Sequence, residues 1–333
     1  MLRTICLAIV ASLLALSPAH AQQVPPDCKG SDLLAQLKVQ DAARHAEILK
    51  AAGAVPNNQG LLWRIEKKGL SPSYLFGTMH VTDRRVLAHG ERLASTLSQI
   101  RVLAVEIASL APESAAATNA IATRAIDPSL KSISAIDDPA LQIKLVAALG
   151  ERGIPRAAGE TFKPWFIAML LSVPGCEMKR QAGKAVVLDR LIETRAASLG
   201  RRIVGLETLE EQINAIAALP DQTVNSMIRQ MASLGTVRDD VFETLIATYL
   251  DGNVSRFMAA SRKGGIFGTA DLEGMAAFQS MLIDKRNAVM SNRALPLLAK
   301  GEVLIAVGAL HLPGDSGLVN LFRKAGYQVT PVW

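Results

Sequence analysis

Two histidines follow predicted buried strands in the same short pattern, Gly-x-x-His. The first pattern runs from Gly77 to His80, and the second runs from Gly308 to His311. Glu106 follows a third apolar stretch of the same kind. In open α/β sheets the carboxyl ends of parallel strands share one edge, and ligands bind there. Two imidazoles and one carboxylate at that edge would suit a catalytic divalent metal ion.

Each histidine taken singly also fits a hydrogen-bonded structural residue, and this alternative stays open. Repetition of the pattern favours the metal site, and so does the scarcity of histidine, since the chain has only 5. His45 and His89 lie on predicted amphipathic helices, where surface or boundary positions are expected. The glycine that opens each pattern, Gly77 or Gly308, allows a tight turn or the close approach of another group.

The elements around these residues predict an α/β fold. A hairpin joins residues 61–67 to 74–76, and further strands are predicted at 102–107, 202–206, 303–307 and 327–332. Long helices are predicted at residues 31–52, 91–100 and 272–293, the last one stopping at Pro296. Strands that alternate with helices predict a three-layer domain, and the hairpin predicts a mixed central sheet rather than a purely parallel one.

One domain is predicted to cover residues 22–333, with a mainly helical insertion at residues 112–274. This insertion is either a lid over the site or scaffold. A glycine-rich stretch at residues 263–268 is a candidate hinge for a lid. Thr208 and Glu211 have the spacing of a capping box at the start of a helix.

Residues 1–21 have the organisation of a cleavable signal peptide. Arg3 gives a basic start, an apolar stretch follows, and Ala19-His20-Ala21 offers a cleavage site after Ala21. The apolar stretch is shorter than the roughly 20 residues that span a bilayer, and no later stretch is long enough. We therefore expect a periplasmic or secreted protein with no transmembrane segment in the mature chain; an uncleaved anchor is the alternative.

Cys28 and Cys176 are the cysteines that remain after removal of the predicted signal peptide. In an oxidising compartment two remaining cysteines are expected to form a disulfide, and two independent thiols are the alternative.

The formal net charge of +6 does not indicate nucleic-acid binding, because the basic residues are spread along the chain. Aromatic residues make up 4% of the chain, too few for a platform that stacks bases. Gly314 to Gly317 reads Gly-Asp-Ser-Gly, as in chymotrypsin-like proteases, but a turn and a helix N-cap explain it. The chain has no His-Glu-x-x-His, P-loop, dinucleotide-binding or Gly-x-Ser-x-Gly motif.

The chain resembles the TraB/GumN family over nearly all of its length beyond about residue 60. The matching pieces are Leu62 to Glu66, Tyr74 to Val81, Lys163 to Trp165, Leu188-Asp189, Gly205 to Thr208, Glu211-Gln212, Arg286-Asn287, Val307 to Gly314 and Gly326-Tyr327. The resemblance implies a fold like that of the erythromycin esterase and ChaN-like proteins. Because the family includes the animal Tiki proteins, it also implies a metal-dependent protease that uses manganese or cobalt; zinc and iron are further candidates.

Residue by residue, the resemblance assigns His80 and His311 as metal ligands and marks Glu106 and Arg286 as functional. Glu106 would complete the ligand set or take a proton from metal-activated water. Arg286 would polarise a carbonyl or hold a substrate carboxylate, with a surface salt bridge as the alternative. Glu207 and Asn287 also lie in family motifs and rank below these residues.

Two hypotheses of function remain at the level of sequence. The first is an exported metal-dependent hydrolase that acts on a peptide, or on a small molecule with another acyl bond. The second is a non-catalytic periplasmic binding or accessory protein for haem, iron or a secreted polymer. The sequence predicts no nucleic-acid partner and leaves the oligomeric state open.

Overall fold

The computed structural model describes residues 28–108, 121, 123–263 and 272–333. The predicted signal peptide, residues 1–21, lies outside the described residues, as do residues 264–268 of the candidate hinge.

Six strands of the described chain form one mixed sheet in the order β4-β3-β5-β2-β1-β6. Their bounds are β1 Leu62–Glu66, β2 Ser73–Thr78, β3 Val102–Val105, β4 Arg202–Gly205, β5 Val303–Gly308 and β6 Gln328–Pro331. Strands β4, β3, β5 and β2 are parallel neighbours, whereas β1 is antiparallel to both β2 and β6. The predicted α/β fold with a mixed sheet and a β1–β2 hairpin is confirmed.

Helices cover both faces of this sheet. The described α-helices before β4 include Leu33–Gln40, Ala42–Gly53, Arg84–Arg92, Ala94–Gln99, Pro139–Gly150, Arg156–Glu160, Pro164–Ser172, Gly175–Ala182 and Leu188–Ser198. Those after β4 are Leu209–Ala217, Asp221–Ser233, Arg238–Leu250, Val254–Lys263, Leu272–Phe278, Lys285–Leu298 and Leu318–Lys324. A π-helix covers Gln279–Asp284, and 3₁₀ turns cover Gly235–Val237 and Ala309–His311.

The two central strands are buried on both faces and separate two apolar cores. Phe76 of β2 and Leu304 of β5 pack on one face with Ile192 of the helix Leu188–Ser198. The residues that alternate with them, such as Ile305, pack on the other face with helix Lys285–Leu298. Alternation along each strand therefore supplies both cores, as a three-layer domain requires.

Three helix predictions are corrected. The predicted helix 31–52 is two helices, because Asp41 interrupts it and its side chain caps the second one through Arg44 N (2.9 Å). The predicted helix 91–100 is likewise two helices, divided at Leu93. The last long helix does not stop at Pro296 but reaches Leu298. Pro296 lies in the final turn, and Leu298 is buried against the sheet, which favours continuation.

Part of the segment 112–274 belongs to the sheet domain itself. Strand β4 lies within this segment, and so does helix Leu188–Ser198, which packs on the sheet. Other helices of the segment build a separate apolar core that includes Leu145, Trp165 and Ile228. A lid role for this segment stays a prediction.

Cys28 and Cys176 form a disulfide with Cα atoms 5.5 Å apart, so the predicted pairing is confirmed. It links the start of the described chain to helix Gly175–Ala182 across 148 residues of sequence. Among the described helices, none has the length and apolar character that a membrane crossing needs.

Replacement of both cysteines, Cys28→Ser with Cys176→Ser, should lower the free energy of unfolding by up to about 5 kcal/mol, because the unfolded chain regains the entropy of a long loop. Urea denaturation of the oxidised wild type and the double variant measures this difference. Reductant should destabilise the wild type and leave the variant unchanged. Equal midpoints for the oxidised wild type and the variant would show that the disulfide contributes nothing.

His89 is buried, and the expectation of a surface or boundary position for it is wrong. Its burial should make the protein less stable in acid. It stacks on Trp333, and burial, together with the charge of Arg92, lowers its pKa to about 4. The unfolded chain protonates His89 near pH 6.5, so its stabilisation is complete above that pH and is lost as pH falls towards 4. Between pH 7 and 4.5 the wild type should lose up to about 3 kcal/mol more than a His89→Phe variant. Parallel pH profiles of the two proteins in urea denaturation would contradict this expectation.

Candidate functional site

The parallel strands of the sheet end at the same level. The paired residues near these ends are Thr78 with Gly308, Val105 with Ala306 and Val105 with Gly205. Glu106 follows β3, Glu207 comes shortly after β4, and the two Gly-x-x-His histidines follow β2 and β5. The four side chains are therefore delivered to one edge of the sheet, formed by adjacent strands.

Glu106 is buried at the centre of this edge. Its Oε1 atom accepts a hydrogen bond from the backbone N–H of Gly308 (2.6 Å) and lies 3.7 Å from Nε2 of His311. Its Oε2 atom accepts from Gln212 Nε2 (2.9 Å). A Cβ atom on Gly308 would lie 3.1 Å from Glu106 Oε1, so glycine leaves room for the carboxylate to approach the backbone.

Arg286 joins Glu106 to Glu207. Its Nη2 atom donates to Glu106 Oε2 and to Glu207 Oε2, both at 2.7 Å, and Nε donates to Glu207 at 3.0 Å. Its Nη1 atom donates to the carbonyl of Leu282 (3.2 Å). The Arg286 side chain is only 15% exposed, which rules out an ordinary surface salt bridge. Its Nε and Nη2 atoms hold protein carboxylates and its Nη1 atom holds a backbone carbonyl, which argues against a substrate carboxylate as its main partner.

A π-helix, Gln279–Asp284, ends two residues before Arg286. Single π-turns within helices are rare and frequently occur at functional sites, because the wider turn redirects the residues that follow it. Arg286 follows this turn and donates back to the carbonyl of Leu282 within it, while the Asp284 side chain accepts hydrogen bonds from Gln279 (2.9 Å) and Ser316 (2.6 Å).

His311 is buried, and Asn287 determines its orientation. The Asn287 amide nitrogen donates to the carbonyls of Ser316 (2.9 Å) and His311 (3.3 Å), so its oxygen faces the imidazole. That oxygen lies 2.7 Å from His311 Nδ1. Since an amide oxygen only accepts, Nδ1 carries the proton and Nε2 carries the lone pair. This lone pair lies on the side of Glu106.

His80 has an equivalent partner in Asp189, the second residue of helix Leu188–Ser198. Asp189 Oδ2 lies 2.8 Å from His80 Nδ1, which leaves His80 Nε2 free of this contact. The two histidines differ in exposure, since the His80 side chain is 61% exposed and that of His311 is 4% exposed. One imidazole is thus deep in the site and the other meets solvent.

The charges of the site oppose the effects of burial. Burial favours the neutral form of Glu106, but the nearby groups of His311, His80 and Arg286 outweigh it and lower its pKa to about 2. Burial lowers the pKa of His311 to about 4, so this imidazole is neutral at pH 7. Asp189 raises the pKa of His80, although solvent weakens the interaction at this exposed side chain.

The donor set has the chemistry of a metal site, because two histidines with Nδ1 held by other groups present Nε2 as a ligand atom. Two ligand atoms about 2.1 Å from one ion are roughly 3 to 3.4 Å apart, close to the 3.7 Å between His311 Nε2 and Glu106 Oε1. As they stand, however, no three His, Cys, Asp or Glu side chains of the described residues form a metal-holding group. Both oxygens of Glu106 already accept hydrogen bonds.

Two residues that complete the site were not among the predicted site residues. Asp189 orients His80, and Gln212 donates to Glu106. Both lie in segments that carry the family resemblance, Leu188-Asp189 and Glu211-Gln212. That resemblance is the feature of the sequence that could have identified them as site residues. Thr78, within the first Gly-x-x-His pattern, has a buried hydroxyl without a hydrogen-bond partner among the described groups.

Comparisons with known proteins agree with the resemblance. The model of the TraB/PrgY/gumN family matches residues 61–331. A curated protein named "Metalloprotease TIKI homolog", from Amphimedon queenslandica, is 24% identical over 319 residues. The alignment covers 80% of this chain and 60% of that protein, so this chain spans less than two thirds of its relative. No solved structure matches the chain.

Removal of the cation between the two buried carboxylates should destabilise the fold strongly. We expect Arg286→Gln to lower the free energy of unfolding by about 3 to 5 kcal/mol, because Glu106 and Glu207 lose their shared partner. Arg256→Gln is the control, since Arg256 forms an exposed ion pair with Asp251 and should cost less than about 1 kcal/mol. Equal losses in the two variants, measured by urea denaturation at pH 7, would show that the buried bridge is not needed.

Proposed function

This chain belongs to the TraB/PrgY/gumN family, and on that premise we propose that it is a metal-dependent hydrolase of peptide or other acyl bonds. The name of the relative from Amphimedon queenslandica, a metalloprotease homolog, supports the peptidase-like activity. This chain spans 60% of that relative, so the activity of the whole relative is proposed here and not transferred as a fact.

One arrangement carries the proposal: two imidazoles with Nδ1 held by Asp189 and Asn287, and a carboxylate 3.7 Å from the Nε2 atom of His311. A purely structural histidine has no need for its second nitrogen to remain available. Partners at Nδ1 fix the ring orientation and raise the basicity of Nε2, as at known histidine-metal sites.

His80 and His311 would hold the ion through Nε2, and Glu106 would complete the ligand set through Oε1. A divalent metal ion supplies Lewis-acid activation of water and of a substrate carbonyl. Nitrogen and oxygen donors suit several divalent metals, and the family resemblance favours manganese or cobalt over zinc or iron. His80, as the exposed ligand, would lie on the side from which substrate enters.

Arg286 would keep Glu106 ionised and would hold both Glu106 and Glu207 in place. An ionised Glu106 that accepts hydrogen bonds from Arg286, Gln212 and Gly308 is a poor proton acceptor, because its pKa is low. This arrangement favours Glu106 as a ligand rather than as the general base. Arg286 then acts through the carboxylates and not by direct contact with substrate.

We also propose that the protein works in the periplasm or outside the cell. The disulfide between Cys28 and Cys176 supports this location, because disulfides persist in oxidising compartments. Gln212 and Asp189 reach the site from the helical segment 112–274, so this segment would shape the site as well as cover it.

One observation favours the alternative, a non-catalytic protein that binds haem, iron or a secreted polymer. Both oxygens of Glu106 are hydrogen-bonded, and these bonds would compete with metal ligation. Under this alternative a ligand stabilises the protein and no bond is cleaved.

Metal analysis by mass spectrometry tests the proposal. The mature protein, offered manganese, cobalt, zinc or iron, should retain about one ion per chain, and the His80→Ala, His311→Ala double variant should retain none. His45→Ala is the control and should bind like the wild type, because His45 lies on the helix Ala42–Gly53.

The same proteins should be assayed against a library of peptides and esters. We expect the metal-loaded wild type to cleave some of them and Glu106→Gln to lose at least about 100-fold in rate. A folded wild type that binds no ion would contradict the proposed hydrolase; an ion without turnover would favour the binding protein.

A further inference from the structure

His80 lies on an irregular segment rather than on a strand or a helix. Strand β2 ends at Thr78, helix Arg84–Arg92 begins at Arg84, and no regular hydrogen-bond ladder holds residues 79–83. A ligand must be held to within a fraction of an ångström to bind a metal well, so other groups have to fix this segment.

Thr82, two residues after His80, is held through all of its polar groups. Its backbone N–H and its hydroxyl donate to the two carboxylate oxygens of Glu177, at 2.8 and 2.9 Å. Arg180 donates through Nε to the hydroxyl oxygen (2.7 Å) and through Nη2 to the carbonyl oxygen of Thr82 (3.1 Å). Thr82 is 1% exposed, so water does not compete for these bonds.

Glu177 and Arg180 belong to helix Gly175–Ala182, which is fixed at a second place by the disulfide of Cys176. The next residue of this helix, Gln181, donates to Glu177 (2.9 Å) and contacts the carbonyl of His80 (3.5 Å). The helix therefore holds the segment on both sides of Val81.

On the far side of the disulfide, the chain after Cys28 is bound to helix Arg238–Leu250. The backbone N–H of Ser31 donates to Asp240 (2.7 Å), and that of Leu33 donates to the hydroxyl of Thr244 (2.9 Å). The disulfide and these hydrogen bonds together connect helix Gly175–Ala182 to helix Arg238–Leu250.

We propose that Thr82, Glu177 and Arg180 are positioning residues that hold His80 in its metal-binding geometry. A buried carboxylate and a buried guanidinium cost desolvation energy, and apolar residues of similar volume would fill the space at lower cost. The charged pair Glu177 and Arg180 fixes the backbone and side chain of Thr82, and this limits the movement of His80 two residues earlier. This inference rests on the proposed function in one respect, that His80 is a metal ligand.

The test compares Thr82→Val, which removes the hydroxyl while keeping the shape, with Thr82→Ser, which restores it. Ser73→Ala is the control, because its buried hydroxyl accepts from Val303 N–H (3.2 Å) at the opposite end of β2. The readouts are cobalt titration followed by the visible absorption of bound Co²⁺, and hydrogen exchange of peptides that cover residues 79–83.

Thr82→Val should bind cobalt about 10- to 100-fold more weakly, with an altered absorption spectrum and faster exchange in residues 79–83. Thr82→Ser and Ser73→Ala should match the wild type in all of these. If Thr82→Val does not fold, Glu177→Gln takes its place, since it keeps one acceptor oxygen and removes the charge. Wild-type affinity, spectrum and exchange in the folded variant would overturn the inference.

Failure of the proposed function has a different signature. A wild type that binds no cobalt contradicts the metal site, and hydrogen exchange then still decides whether Thr82 fixes the segment that carries His80. Faster exchange confined to residues 79–83 in Thr82→Val supports this fixing of the segment, whereas unchanged exchange overturns it.

Discussion

The guanidinium of Arg286 lies between two buried carboxylates, and the organisation of the sheet edge depends on this contact. Each buried carboxylate would cost several kcal/mol if it were left without a partner, and two of them on adjacent strands would repel each other. Arg286 contacts Glu106 and Glu207 at 2.7 Å, so it holds both carboxylates in fixed positions and favours the ionised form of Glu106. Glu106 in turn accepts the N–H of Gly308. One cation therefore connects a helix, strands β3 and β4 and the second Gly-x-x-His turn.

The two histidines are oriented from opposite faces of the sheet. Asp189, which binds His80, belongs to a helix of the core that contains Phe76, whereas Asn287, which binds His311, belongs to the helix that packs on Ile305. The geometry of the site thus depends on how both helical layers pack against the sheet. A change that shifts either layer should move one imidazole relative to the other.

Local patterns were enough to predict the strands, the hairpin and the common edge at which the motifs leave the sheet, because each reflects burial or spacing along the chain. The disulfide was predicted from the number of cysteines and the expected oxidising compartment. Contacts between residues that are far apart in the sequence could not be predicted in this way. Asp189 stands in the first turn of a helix, where an acidic residue is favourable in any case, so nothing local marks it as the partner of His80. The π-turn before Arg286 has no sequence signature, and Pro296 ends no helix because Leu298 is held in the core beyond it.

The position of a bound ion tests the central claim most directly. Crystals of the mature protein grown with Mn²⁺ or Co²⁺ would be measured by anomalous diffraction at the absorption edge of the metal. The expected result is one strong peak within about 2.0 to 2.3 Å of the Nε2 atoms of His80 and His311 and of a Glu106 oxygen. A peak elsewhere would contradict the proposed metal centre. So would the absence of a peak between the histidines, with Glu106 still hydrogen-bonded to Gly308 and Arg286.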